Sequence, residues 1–350
     1  MTRRGLSLIL SILVLMALAF SIRLLPLQWS PLPYNIDGLS ELRVTQDILT
    51  TGHLDFPPDS SHSQSYVVDM PLLSLLTAFL CSALGLDPVS SSQIMIALLG
   101  AVTVSLLFLL PLQLWPSRRT ALATATVLAL VGSFAFSTGC VWKESLGFLL
   151  LAVMLLAYPK RDLLPYRLLM TLPLPLLVFT HHHTTVVSFV ILTFAVSLDL
   201  ARAVRDGRLS TTNRLDVVTV LSCWALAAWY YSSISLPYLD YLSPSTDLYL
   251  YVAVAALLVL VAVSLSSRDR PVSRLPVGLV VPAIGLAMLA VNYVHPIFSG
   301  IPSPSALLVV PVAAYLLLTV PAWAGSSIAL SRKGVQKDLL LAMLLGPLSL

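Results

Sequence analysis

Long apolar runs alternate with short polar stretches along the whole chain. Most of the runs are roughly 17–25 residues, the length needed to cross about 30 Å of hydrocarbon as a helix. The pattern predicts spanning helices at about 5–25, 91–114, 120–138, 145–158, 164–180, 184–203, 216–236, 247–266, 276–295 and 304–326. An eleventh begins near 338. Between the first two lies a long polar segment, 26–90, holding one shorter apolar run, Pro71–Leu86. Pro71 opens that run and "GLDP" closes it. Within the same segment, "YNIDGLSELRVTQDILTTGHLDF" predicts a helix at about 38–50 that Gly52 stops. The expected fold is therefore all-α and polytopic, with about 10–11 transmembrane helices in a single transmembrane domain. Residues 26–90 form its first outer loop with interfacial helices, 91–160 continue the core, and 161–350 supply the remaining spans.

Composition strengthens this picture. The 350 residues are 57% hydrophobic and only 10% charged, where a soluble domain carries about 25% charged residues. Gly5–Ile22 follows Arg3 and Arg4 like a signal peptide, but the apolar run is long and no A-x-A site follows it cleanly. It is expected to stay as the first helix. Cys81, Cys140 and Cys223 have no metal-ligand or redox spacing and are expected to be free thiols among the helices.

Charge orients the bundle. With 71–86 interfacial or re-entrant, every one of the 20 Lys and Arg residues except Arg23, Arg43 and Lys143 falls on one side. The positive-inside rule makes that side cytoplasmic, with the N-terminus there too. If 71–86 crossed, Arg118 and Arg119 would move outside and the sorting would fail. The outer side then collects His53, His62, His181, His182, His183 and His295. It also collects the acids Asp37, Glu41, Asp47, Asp55, Asp59, Asp69, Asp87, Glu144, Asp240 and Asp247. An aromatic belt from Trp229 to Tyr251 lies at the same level. The inner side has short basic loops without a glycine-rich nucleotide motif, so chemistry is expected outside and no nucleic acid is expected as a partner.

Three stretches on that outer side carry candidate chemistry. Asp37 and Glu41 are four residues apart and share one helical face, an arrangement that a cation or a shared proton must compensate; Arg43 falls off that face. "STGCVWKESLGF" is a tight connection that places Lys143 and Glu144 near membrane depth, where ionisable residues are expensive. Lys143 can hold an anion as a point charge. "THHHT" puts His181, His182 and His183 at a helix end, where successive residues point about 100° apart and at most two converge. His181 and His182 are expected to face inward. For each stretch the simpler account is a solvated or headgroup-level turn, and it is the co-occurrence of all three that favours a site.

The order of these features resembles the membrane-embedded glycosyltransferases of the GT-C superfamily. They are most similar to the protein mannosyltransferase and aminoarabinose transferase branch, with a more distant resemblance to oligosaccharyltransferase catalytic subunits. The likeness covers roughly residues 5–160: an acid after the first helix, then a glycine-terminated helix, then "MPLL" at 70–73 where the family has "PPL". "LGL" at 84–86 stands at the family's "fG". The resemblance implies a polyprenyl-phosphate-linked sugar donor drawn from the lipid bilayer and sugar transfer to an acceptor at the outer face of the plasma membrane. It implies Asp37 as the base, with Glu41 and Glu144 as further catalytic carboxylates. Lys143, Arg43, His181, His182, His183 and Tyr66 are the expected substrate contacts. A divalent metal (Mn or Mg) held by Asp37, Glu144 and His182 is an alternative way to stabilise the leaving phosphate, and mixed carboxylate and imidazole ligands suit Mn or Zn better than Mg. A membrane transporter or flippase is the competing reading, with few mid-membrane charges in its favour.

Overall fold

The computed structural model describes residues 3–33, 35–54, 62–114, 117–234 and 335–345. Among them there are helices and turns but no β-strand, and four helices are long and apolar enough to cross a membrane. The fold is that of an all-α membrane protein. The expected spans at 247–266, 276–295 and 304–326 lie outside the described residues, as do Asp55, Asp59, Asp240, Asp247 and His295.

In chain order the helices are α1 (Arg3–Leu24), α2 (Ile36–Thr51), α3 (His62–Asp69), α4 (Leu72–Leu84) and α5 (Pro88–Leu114). They continue with α6 (Arg118–Leu130), α7 (Gly132–Ser137), α8 (Lys143–Ala157), α9 (Leu164–Thr171) and α10 (Pro173–Val178). Among the described residues they end with α11 (His182–Arg205), α12 (Thr211–Ser233) and α13 (Val335–Leu345). The expected helix at 38–50 is α2, closed by Gly52 in the left-handed conformation at φ 78°. The proline-led run is α4, closed the same way by Gly85. At 13 residues α4 is about 20 Å long, too short to cross.

Two expected spans are not single helices. The run at 120–138 breaks at Val131, whose extended backbone separates α6 from α7. The run at 164–180 divides at Leu172, between α9 and α10. Pro173 and Pro175 each lack an N–H, so a continuous ladder through this stretch would miss two bonds. Apolar run length is blind to such breaks.

Helices α1, α5 and α6 pack through small residues. Ala121, Ala125 and Ala129 recur every fourth position of α6 and are fully buried against Leu15 and Ala19 of α1 and Ala101, Val104 and Phe108 of α5. Side chains this small let helix backbones approach, the usual source of attraction where lipid removes the hydrophobic drive. The opposite face of α1, with Leu6, Leu10, Leu13 and Val14, is exposed. Arg118 at the start of α6 hydrogen-bonds Ser7 and Ser11, so the beginnings of α1 and α6 share one end of the bundle. Arg23, at the far end of α1, donates to the Thr138 hydroxyl through Nε at 2.9 Å.

Arg23 reaches Thr138 by crossing α5 at Gly100, where an added Cβ would clash with the Thr138 carbonyl and lie 2.5 Å from Arg23 Nε. A backbone carbonyl cannot swing aside as a flexible side chain does. Gly100→Ala is therefore expected to destabilise the bundle by about 1–3 kcal/mol, the usual range for overpacking. Thermal unfolding in detergent measures this, and an unchanged transition would show that α7 yields freely.

The second half is built around α11, which buries Phe189, Leu192, Ala195 and Leu198 against α8, α10, α12 and α13. A buried ionic network ties the ends of these helices. Arg161 donates through Nε to Asp216 and through a terminal nitrogen to Asp199, each at 2.6 Å. Arg167 adds a second bond to Asp216 at 2.7 Å, and Arg202 pairs with Asp338 of α13. Arg161 also lies over the Tyr158 ring at 3.9 Å. The basic residues that charge sorting assigns to the inner side are thus partly internal.

Candidate functional site

At the end of the bundle opposite Arg118, five segments meet. The first is the start of α2. Asn35 precedes the helix with an extended backbone, and with its amide oriented to satisfy both neighbours its oxygen accepts from Gly38 N–H at 2.8 Å and from the Trp142 indole. One side chain thus caps α2 and fastens it to the loop before α8. Gly38 makes the contact close, since an added Cβ would stand 2.7 Å from Pro33 and 3.1 Å from Val141.

The cap sets the positions of the two acids one turn apart. Glu41 is 3% exposed, and its Oε2 accepts from the Ser74 hydroxyl of α4 while Oε1 lies 3.7 Å from Lys143 Nζ. Burial pushes the Glu41 carboxyl up to about 7, against the lowering pull of Lys143 and Ser74, with Glu144 and Asp37 adding to the rise. Asp37 is exposed. It is within electrostatic reach of Glu41, Lys143 and Glu144.

Lys143, at the first position of α8, is also 3% exposed. Its ammonium donates to the Tyr66 carbonyl at 2.7 Å and sits 3.8 Å from the centre of the Tyr66 ring. Three separate favours thus offset its burial: a carboxylate, a carbonyl and an aromatic face. Tyr66, on α3, continues outward with its hydroxyl 3.0 Å from His182 Nδ1. The same helix carries Asp69, whose carboxyl burial raises above the usual range. Its carbonyl accepts from Tyr230 of α12 at 2.6 Å.

The histidines open α11. His181 is the cap residue and is buried, His182 is half-buried, and His183 is exposed. Their rings form a tight group, with His182 and His183 centred 4.4 Å apart. His181 Nε2 lies 3.2 Å from Glu144 Oε1. Leu72 N–H donates to the Phe179 carbonyl at 3.3 Å, which holds the start of α4 beside this turn.

Asp37, Glu41, Tyr66, Lys143, Glu144, His181, His182 and His183 are thereby gathered into one region. Arg43 is not part of it: its side chain is 63% exposed and pairs with Asp47 at 3.3 Å along α2. The two residues are four apart on the helix, and that local partner holds the guanidinium on the outer face. The metal set is not assembled either. Among the described residues no group of three or more His, Cys, Asp or Glu side chains is placed to hold a metal ion. Ser74, Asn35 and Trp142 were not singled out in the sequence. Asn35 before an apolar helix carries a cap signal, whereas nothing about Ser74 marks it locally.

Chemically the region offers an exposed carboxylate at Asp37 and a partly exposed one at Glu144. Behind them lie the buried Glu41–Lys143 pair and two imidazoles. It can accept protons and hydrogen bonds from hydroxyl groups and can set a fixed positive charge beneath them. No protein-family model matches the chain, and neither does any curated protein.

Proposed function

We propose that the chain is a GT-C-type glycosyltransferase that moves a sugar from a polyprenyl-phosphate-linked donor to an acceptor at the outer face of the plasma membrane. The observation that carries this reading is the meeting of the first outer loop with the starts of α8 and α11, which joins the three stretches singled out in the sequence. The order of motifs along 5–160 supports it. In this reading the N-terminus is cytoplasmic, about ten or eleven helices span, and α2, α3 and α4 form a cover over the outer end.

The chemistry follows from the side chains. Asp37 is water-accessible and takes the proton of the acceptor hydroxyl. The acceptor oxygen attacks the anomeric carbon, and the bond from that carbon to the phosphate oxygen breaks with its electrons passing to the polyprenyl phosphate. The positive charge of Lys143, held in a region of low dielectric, favours the growing negative charge on the leaving group. Tyr66, against Lys143, and His182, in contact with the Tyr66 hydroxyl, are suited to hydrogen-bond sugar hydroxyls.

Purified protein given a polyprenyl-phosphate sugar is expected to release polyprenyl phosphate. Asp37→Asn is expected to lower that rate by about 10²–10⁴-fold, the usual contribution of a general base. Because Asp37 is exposed, the variant should keep the wild-type unfolding temperature. Transfer at the wild-type rate would remove Asp37 as the base. Movement of the intact lipid-linked sugar across vesicles without release of the phosphate would favour the flippase reading.

A further inference from the structure

His181 stands between the Thr184 backbone N–H on one side and the Glu144 carboxyl on the other. Its Nδ1 lies 3.4 Å from the backbone N–H of Thr184 and 2.9 Å from the Thr184 hydroxyl, closing the first turn of α11. A backbone N–H only donates, so Nδ1 presents its lone pair. On the other side Nε2 faces Glu144 Oε1 at 3.2 Å. An ionised carboxylate only accepts, so Nε2 carries the hydrogen. Both constraints select the same neutral tautomer.

The approach of α8 to α11 depends on Gly147. An added Cβ there would stand 2.9 Å from the Thr184 side chain, the residue that holds His181. The imidazole is therefore clamped from behind by its own helix cap, with a glycine one turn along α8 leaving room for that cap. Glu144 keeps 34% of its side chain exposed and lies within electrostatic reach of Asp37.

We propose that His181 is a positioning residue for Glu144: the α11 cap holds it as the Nε2–H tautomer, it donates to one Glu144 oxygen, and the carboxylate so oriented accepts a hydrogen bond from a hydroxyl of the sugar substrate. The sugar contact rests on the glycosyltransferase reading; the tautomer and the orientation of Glu144 do not. A carboxylate has about four lone-pair sites, so one bond to His181 leaves capacity for the substrate.

Two measurements test this. The first is 15N NMR of histidine-labelled protein in nanodiscs, with the His181→Asn spectrum identifying the His181 signals. His181 is expected to show an unprotonated Nδ1 and a protonated Nε2, and Glu144→Gln is expected to shift the Nε2 signal. A protonated Nδ1, or an Nε2 signal indifferent to Glu144→Gln, overturns the proposal. The second is kinetic. His181→Asn keeps a cap, because the Asn oxygen accepts from Thr184 N–H, but is too short to reach Glu144. Its unfolding temperature should stay near wild type, while KM for the polyprenyl-phosphate sugar rises about 10–100-fold, as for one lost bond to a charged group. Adding His181→Asn to Glu144→Gln should bring no further loss, and additive losses would show that His181 acts on its own. A wild-type protein that transfers no sugar removes the substrate contact along with the reading beneath it, while the NMR result still decides the tautomer.

Discussion

Lys143→Met is expected to destabilise the protein by about 3–5 kcal/mol at alkaline pH, the usual loss when one partner of a buried ion pair is removed. Methionine fills most of the volume, so the effect isolates the charge. The variant leaves Glu41 3% exposed with Ser74 as its remaining close partner and removes the cation that held the Tyr66 carbonyl and ring. The pH dependence gives the prediction its signature. In the wild-type protein the Glu41 carboxyl is raised from 4.5 to about 7, so the folded state holds a proton that the unfolded chain has released. Stability attributable to Glu41 therefore falls as pH rises from 4.5 through about 7. The groups facing Glu41 are Lys143, Ser74, Glu144 and Asp37, and Lys143 is the one that lowers its carboxyl by charge. Without Lys143 the proton is held more tightly still, and the fall must continue to higher pH. Thermal unfolding in detergent at pH values on both sides of 7 reads this directly. Adding Glu41→Gln should restore most of the alkaline loss. A loss that is equal at all pH values, or that Glu41→Gln does not relieve, would show that Lys143 acts through packing alone.

Asp216→Ala is expected to cost a similar 3–5 kcal/mol, at the other end of the bundle. Asp216 is 1% exposed and receives one bond from Arg161 and one from Arg167. Arg161 is itself buried, so the variant leaves its guanidinium with Asp199 and with the carbonyl and ring of Tyr158. Arginine keeps its proton under all ordinary conditions. It has no neutral form to retreat to, and the loss should be nearly independent of pH between 6 and 9. That contrast with Lys143→Met, measured on the same purified protein, separates the two buried networks. Asp216→Asn keeps the volume and one acceptor oxygen but turns an NH2 donor toward the other guanidinium, so it should lose less than Asp216→Ala without matching the wild type. If Asp216→Ala unfolds at the wild-type temperature, the network is ornamental to stability, and the α9, α11 and α12 ends are held by packing alone.

Much of the site was visible before folding because its parts are costly where they stand. Lys143 and Glu144 between two apolar runs, and three histidines at the edge of another, require an explanation from lipid solvation alone. The spacing of Asp37 and Glu41, the Gly52 stop and the Pro71 start all act over a few residues, so a linear reading finds them. The same reading missed the breaks at Val131 and Leu172, because apolar run length records burial in lipid and not backbone continuity. It counted Arg43 among the substrate contacts, whereas Asp47, one turn along the same helix, holds the guanidinium.

By itself the sequence determined an all-α membrane protein, the position of α2 and α4, and which residue types would be found away from water. Those properties follow from hydropathy and from backbone preferences that act locally. Only the tertiary structure decided that Glu41 is buried and Asp37 exposed, though both sit on one helical face. It alone put Ser74 on Glu41, Tyr66 under Lys143, and Glu144 against His181. Partner choice of this kind joins residues far apart in the chain, 116 positions in the Tyr66–His182 contact and 161 in the Tyr230–Asp69 one. It is set by how closely helices approach at Gly38, Gly100 and Gly147, where the chain has removed a side chain to let another segment in. A glycine in a linear string does not say what it makes room for.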